Sequence, residues 1–349
     1  MSTESGPPRH QVTLKDVANR AGVHLSTASR ALDDGQSRRI SDATITKVRR
    51  AADELGYVRD LVATGLKRGR THTVGVVVAD LENPYNARLI RGVARTLEEH
   101  GMVALIVETG EDEERMERLL KHFMQRRVDA IITAATHLGD GELLGRVIGD
   151  RVPLVLAVRG LRGGEYSMVV HDDRGGGALA AQHLIGLGHR SIAQLKGPTD
   201  IDTFLRRCEG FREAAEAAGV ADHTVEAAAT VPTMAEGKRL MELTLAAGEP
   251  VTGVFAPTDV MAVGAYEAIA GRGLRCPQDI SVVGYNDVPL VGHLSPPLST
   301  VRLPSEEVGA QAAELAVRMI AEPDHEIESS QLPASLIERR STAPPTMPD

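Results

Sequence analysis

The chain has 349 residues, 42% of them hydrophobic and 3% aromatic, with 39 basic against 48 acidic side chains and a net charge of -9. That apolar content is enough for more than one packed core, so two or three domains are expected. No window approaches the roughly eighteen consecutive apolar residues of a membrane span. The opening MSTESGPPRHQ also lacks the apolar stretch of a secretory signal, so no membrane association and a cytoplasmic location are expected. Cys208 and Cys276 stand apart, without the CxxC or Cys/His spacing of a zinc site, so free thiols are expected and neither a structural metal nor a disulfide framework.

Charge divides the chain unevenly. Residues 1–72 hold 13 basic against 8 acidic side chains, a net of +5, and the rest carries -14, which together give the overall -9. A basic head on an acidic body suits a head that meets a polyanion, although a plain solvated surface gives the same balance. Within that head, Thr13 and Asp16 form a helix-start signal, and Leu14, Val17, Ala18 and Ala21 follow at helical spacing. Gly22 permits a sharp turn, Val23 plugs the angle, and a second helix from about Leu25 to Leu32 places the small Ala28 at the crossing. A third helix starts at Ser41, with Ile40 and Ile45 as a staple and Val48, Ala52 and Leu55 inward, and Gly56 stops it. Lys47, Arg49 and Arg50 lie on its outer face. This is a helix-turn-helix pattern. The following YVRDLVATGLKRGRTHT is basic, has no evident core face and reads as a linker.

From Thr73 the chain alternates short apolar runs with amphipathic stretches: VGVVVA, MVALIV, VDAIITAA, PLVLAV, SIAQL, VTGVFA and ISVVGY. This periodicity predicts an α/β body of doubly wound parallel sheets, with ligands at the carboxyl ends of the strands. Enzyme motifs are missing. The glycines Gly175 to Gly177 lack the full GxGxxG pattern and read as a plain helix start; no P-loop lysine, GxSxG elbow or HExxH pair occurs. His183 and His189 belong to the HLIGLGH junction. No catalytic residue, cofactor or metal site is expected.

The stretch VTLKDVANRAGVHLSTASRAL, followed by ISDATITKVRRAADELGYVRD, resembles the DNA-binding head of the LacI/GalR family of bacterial transcriptional regulators. The resemblance runs on in order through TVGVVVADLENPY, HLIGLGHRSIAQLKGP, RRCEGF, DISVVGYND, LSPPLSTVR and LIERRSTAPP. It implies an arm over 1–12, a helix-turn-helix domain over 13–58, a hinge over 59–72, an effector-binding and dimerisation body over 73–343, and a tail over 344–349. The body would comprise two lobes of periplasmic-binding-protein type, one of about 73–171 and 301–330, the other of about 172–300 and 331–343.

By the same resemblance, the second helix lies in the major groove of operator DNA, with Leu25, Ser26 and Arg30 at the base-reading positions. Arg30 could take a guanine by two hydrogen bonds and Leu25 a thymine methyl. Leu25 could equally be core, and Ser26 or Arg30 could bind phosphate. His24 stands where the family more often has a small hydroxyl residue. The hinge would form a helix pressing Leu66, with Ala63 beside it, into the minor groove. Gly65 falls within that helix, and Arg59 stands where proline is usual. Arg207 matches the family's ligand arginine, and Tyr85, Asn86, Arg159, Thr203, Thr258, Asn286 and Asp287 fall at the effector site.

The implied function is a ligand-responsive repressor that binds a palindromic operator as a homodimer or tetramer. The alternative is a cytoplasmic ligand sensor without operator control. Sugar-responsive members commonly place aspartate where this chain has Val158 and asparagine where it has Thr258, and they stack an aromatic ring on the sugar. Here there is no tryptophan and there are 4 phenylalanines. Arg159 and Arg207 therefore direct the expectation to an anionic or weakly hydroxylated metabolite, with a sugar as runner-up.

Overall fold

The computed structural model describes residues 12–32, 40–57, 70–161, 166–322 and 324–346. They divide into two compact units, Met1–Thr71 and His72–Asp349.

The first unit holds α1 (Leu14–Arg20), α2 (Leu25–Ala31) and α3 (Asp42–Leu55). Thr13 and Asp16 close a reciprocal capping box: Asp16 Oδ2 accepts from the Thr13 amide at 2.9 Å and Thr13 Oγ1 from the Asp16 amide at 3.4 Å. Gly22, at φ 60°, makes the turn into α2. Val17, Ala18, Ala21, Ala28, Ala31, Val48, Ala51 and Ala52 form the core, with Ile40 and Ile45 packed on it. Alanines at the crossing let short helices approach closely enough to bury one another without bulky side chains. Ser41 takes the N-cap position of α3, but its hydroxyl meets Thr44 Oγ1 at 2.9 Å instead of a backbone amide. The hinge positions Arg59, Ala63, Gly65 and Leu66 lie outside the described residues.

The second unit contains two lobes. Strands β1 (Thr73–Val78), β2 (Val103–Glu108), β3 (Ala130–Thr133), β4 (Leu154–Val158), β5 (Ser167–His171) and β11 (Ser329–Leu332) form one sheet in the order β2-β1-β3-β4-β5-β11, with every neighbour parallel. Strands β6 (Ser191–Gln194), β7 (Ala221–Asp222), β8 (Gly253–Phe255), β9 (Ser281–Asn286), β10 (Ser299–Arg302) and β12 (Ser335–Ile337) form the other, in the order β7-β6-β8-β9-β10-β12. Only the β10–β12 pair there is antiparallel. Strands β1, β4 and β9 are buried almost throughout because helices cover both faces, which is why they read as unbroken apolar runs.

Helices α4 (Pro84–Glu99), α5 (Glu113–Arg126), α6 (Gly141–Val147) and α11 (Ser305–Ala321) serve the first sheet; α7 (Asp173–Gly186), α8 (Asp202–Ala217), α9 (Met234–Ala246) and α10 (Asp259–Gly271) serve the second. The chain therefore crosses between lobes three times. The second and third crossings follow Arg302 and Leu332, close to the bounds of about 300 and 330 that the resemblance implies, because the ladders with β12 and β5 persist to those residues. At the far end, His189 joins Thr252 Oγ1 at 2.8 Å and the Ala343 carbonyl at 3.0 Å, pinning the C-terminal segment to the second lobe. Thr346, expected in the tail, donates to the Gln278 carbonyl at 2.9 Å, so order extends into that segment.

One packing device positions the functional side chains. The α7–α8 crossing is so close that a Cβ on Gly177 would overlap the Arg207 carbonyl, and one on Gly210 would overlap the Arg174 carbonyl. Reciprocal glycines recur where α4 meets α11 (Gly92, Gly309) and where α9 meets α10 (Gly237, Gly264).

Candidate functional site

In the first unit, Leu25, Ser26 and Arg30 are all exposed on α2, and Arg30 and Ser26 share a face one turn apart. Leu25 is 45% exposed, so it is not a core residue. Arg30 Nε donates to the Ser26 carbonyl at 3.1 Å. His24 replaces the expected hydroxyl cap: its Nδ1 accepts from the Ser26 amide at 3.3 Å and lies 2.9 Å from Ser26 Oγ. Helix entry is therefore preserved by a different side chain, and Ser26 Oγ is engaged by it. On α3, Glu54 binds Arg20 at 2.7 Å and Arg50 at 3.0 Å, which neutralises part of the head's basic surface.

In the second unit, a cavity of about 290 Å³ opens at the carboxyl ends of both sheets. The first lobe contributes Asp80, Asn83, Tyr85 and Asn86 after β1, Glu108 and Glu111 at the end of β2, and Val158 and Arg159 after β4. The second contributes Thr203, Phe204 and Arg207 from the start of α8, the Val231–Thr233 stretch, Thr258 and Asn286. Seven of the eight effector residues expected from the sequence thus line one space. The eighth, Asp287, does not: its carboxylate is held by Arg302 at 2.7 Å and Arg339 at 2.6 Å, where it braces the loop after β9.

Several lining residues are positioned by specific partners. Arg207 donates from Nε to Asp173 Oδ1 at 2.8 Å and from Nη1 to the Pro257 carbonyl at 2.8 Å, and its guanidinium lies 3.9 Å from the Tyr285 ring centroid. Tyr285 donates to the same Asp173 oxygen at 3.1 Å. A Cβ on Gly176 would strike that tyrosine hydroxyl, so the glycine run at the start of α7 makes room for this cluster. Tyr85 Oη meets His171 Nε2 at 2.5 Å. Burial, reinforced by the Arg207 charge, pushes His171 down to about 3, so it is neutral. Asn86 Nδ2 donates to the Asp80 carbonyl at 2.5 Å, and Thr258 caps α10 by accepting from the Met261 amide at 3.2 Å. Both brace the wall they line.

Arg159 is not a free cation. It grips Glu111 with both terminal nitrogens, at 2.8 and 2.6 Å. Burial alone would raise Glu111, but hydrogen bonds from Arg159 and His137 outweigh it and hold the carboxyl at about 2. The expectation of an anionic effector drew on Arg159 and Arg207 besides the departures at Val158 and Thr258, and each arginine is matched by a carboxylate. Backbone strain gathers at the same place: Glu111 (φ 60°), Val158 (φ 68°) and Asn286 (φ 112°) are non-glycine residues at positive φ, a conformation that is costly for β-branched Val158 and concentrates at functional sites.

Family comparison agrees with this architecture. Residues 13–60 match the model of bacterial regulatory proteins of the lacI family, and residues 181–342 match the periplasmic binding protein-like domain. The ribose operon repressor of Escherichia coli (strain K12) is 35% identical over 340 residues, covering 94% of this chain and 99% of that protein. The solved complex of the transcriptional regulator CelR with cellobiose is 32% identical, with a TM-score of 0.71 over 95% of this chain and 99% of that one. The lac repressor dimer bound to operator and the anti-inducer ONPF has a TM-score of 0.84 at 24% identity, over 96% of this chain and 100% of that one, a likeness of fold.

A helix-turn-helix unit joined in one chain to a two-lobed binding body defines a ligand-responsive transcriptional regulator. The chain belongs to the lacI family of bacterial regulatory proteins. Among the described residues, no helix is long and apolar enough to cross a membrane.

Proposed function

We propose that this protein is a cytoplasmic, non-catalytic repressor that binds a palindromic operator as a homodimer, controlled by a neutral, hydroxyl-rich metabolite in the interlobe cleft. The observation that carries the effector class is the charge pairing: Arg207 with Asp173 on one lobe and Arg159 with Glu111 on the other. An anion entering this cleft would find matched arginines, with Asp80 and Glu108 also on the wall. A hydroxyl gains from such pairs because it both donates and accepts. The cellobiose complex of CelR and the name of the ribose repressor point the same way. The space of about 290 Å³ suits a small ligand.

Closure of the lobes on a ligand would change the spacing of the two dimer heads and so bias operator binding. Leu25, Ser26 and Arg30 are the base-reading set, and Ala63 and Leu66 are the hinge contacts that the family resemblance assigns. The rival reading, a sensor without operator control, leaves the exposed Leu25 and Arg30 on a capped α2 without a purpose. In vitro selection of the full chain on a random duplex pool tests the proposal. Enrichment of a site with two inverted halves supports it, and failure to enrich any duplex overturns it.

A further inference from the structure

Glu111 and Arg159 come from the loop after β2 and the end of β4, and they form a pair that both lines the cleft and is charge-neutral as a whole. A third group fixes the pair. His137 Nε2 lies 3.3 Å from Glu111 Oε2, and its Nδ1 lies 3.7 Å from Asp140 Oδ2, which also accepts the His137 backbone amide at 2.7 Å. The three side chains are 15%, 10% and 19% exposed, for Glu111, Arg159 and His137 respectively, so water screens this chain of charges weakly. Hydrogen bonds to Asp140 and then Glu111 raise His137 to about 9, so it is a cation.

An ionised carboxylate offers about four lone-pair sites. Arg159 Nη1 and His137 occupy Oε2, while among the described residues Oε1 accepts only from Arg159 Nη2, at 2.6 Å. Oε1 therefore keeps an acceptor site, beside a guanidinium nitrogen that has a second proton. Oε1 can accept the proton of one hydroxyl, while the second Nη2 proton, which the planar guanidinium directs away from Oε1, can reach a neighbouring oxygen. Glu111 holds this position at φ 60°, directly after Gly110 at φ 66°. A left-handed pair of residues aims the carboxylate where a regular strand end would not.

We propose that Glu111 is the specificity-determining residue of the first lobe: it reads one hydroxyl of a neutral polyol, Arg159 donates to a neighbouring oxygen, and His137 is the positioning residue that holds the carboxylate. This rests on the cleft being the effector site. A purely structural staple between the ends of β2, β3 and β4 would alter stability without selecting among hydroxyls.

Calorimetry on the full chain with a panel of neutral monosaccharides, and then with each monodeoxy derivative of the tightest binder, separates the readings. Glu111→Gln is expected to weaken the parent sugar by about 10- to 100-fold, the loss of one hydrogen bond to a charged group. It should also abolish discrimination against a single deoxy derivative while leaving the others unchanged. His137→Gln is expected to weaken binding less and to keep the same hydroxyl discriminated. If Glu111→Gln does not fold, Glu111→Gln/Arg159→Gln removes both charges together and should show the same single-position collapse. Arg207→Ala reports on the cleft itself. Loss of binding there, with an unaltered deoxy profile in Glu111→Gln, overturns the role of Glu111 alone. Failure of every neutral monosaccharide to bind overturns that role together with the effector class.

Discussion

Arg207 and Asp173 face each other at 2.8 Å with side chains 5% and 2% exposed, one lying on α8 and the other beginning α7. The pair does two jobs: it sets the guanidinium against the cleft and it ties the two helices together. Removing one partner leaves the other charge buried and unmatched, at a cost of about 3–5 kcal/mol. Asp173→Asn is therefore expected to lower the urea midpoint of the body's unfolding transition markedly. Asp173→Asn/Arg207→Met should recover part of that loss while binding no effector. Equal midpoints for the parent and Asp173→Asn would show the pair to be dispensable.

Gly177 gives a second expectation. Its Cβ-free approach to the Arg207 carbonyl lets α7 and α8 cross where they do. Gly177→Ala must push backbone against backbone, which costs about 1–3 kcal/mol as overpacking and displaces Arg207 from the cleft. Effector affinity should fall together with stability. An alanine variant with the parent's affinity would mean that the crossing is not set by this contact.

These residues also mark how far the sequence could be read. The head and the alternation of strands and helices were legible from local patterns, and the seven cleft residues from motifs that resemble those of the LacI/GalR family. Glu111 and His137 were not. They sit in the loops that follow β2 and β3, and Glu111 pairs with Arg159, 48 residues on, and with His137, positions that no periodicity connects. Arg159 consequently reads as a cation open to an anion, and the loss of a carboxylate at Val158 reads as a loss to the whole cleft, although Glu111 supplies one from the loop after β2. The run Gly175–Gly177 read as a plain helix start because the sequence does not reveal that Tyr285 and α8 press on it. Asp287 shared a motif with Asn286 yet turned to Arg302 and Arg339, since the residues flanking a strand end at positive φ point apart.

On the DNA-binding side, Arg30 and His24 should differ in kind. Arg30→Ala is expected to cost about 1–3 kcal/mol on a selected site and to relax one base position, as the loss of a bidentate guanine contact would. His24→Ala removes the side-chain cap of α2, worth about 1 kcal/mol, and should weaken binding evenly across sequences, with His24→Ser restoring it. Anisotropy titrations on the selected site and on single-base variants distinguish the two. Uniform weakening by Arg30→Ala would make that residue a phosphate contact.

The Glu111–His137 pair sets a pH dependence. Folding raises His137 from 6.5 to about 9, so its contribution is complete below pH 6.5 and disappears as pH rises through about 9. Folding lowers Glu111 from 4.5 to about 2, so its contribution is complete above pH 4.5 and disappears as pH falls through about 2. Urea midpoints measured from about pH 6 to about pH 10 should therefore fall more steeply for the parent than for His137→Gln, which lacks the titrating group. Parallel curves would contradict the raised histidine.

The most direct test of the account is the affinity of the full chain for its selected operator, followed by fluorescence anisotropy as neutral monosaccharides or their phosphates and uronates are added. The account requires at least one neutral sugar to change operator affinity by about 5- to 150-fold, the usual range for coupled sites. Arg207→Ala should still bind operator and lose that response. A response confined to the anionic sugars, or one that persists undiminished in Arg207→Ala, would contradict it.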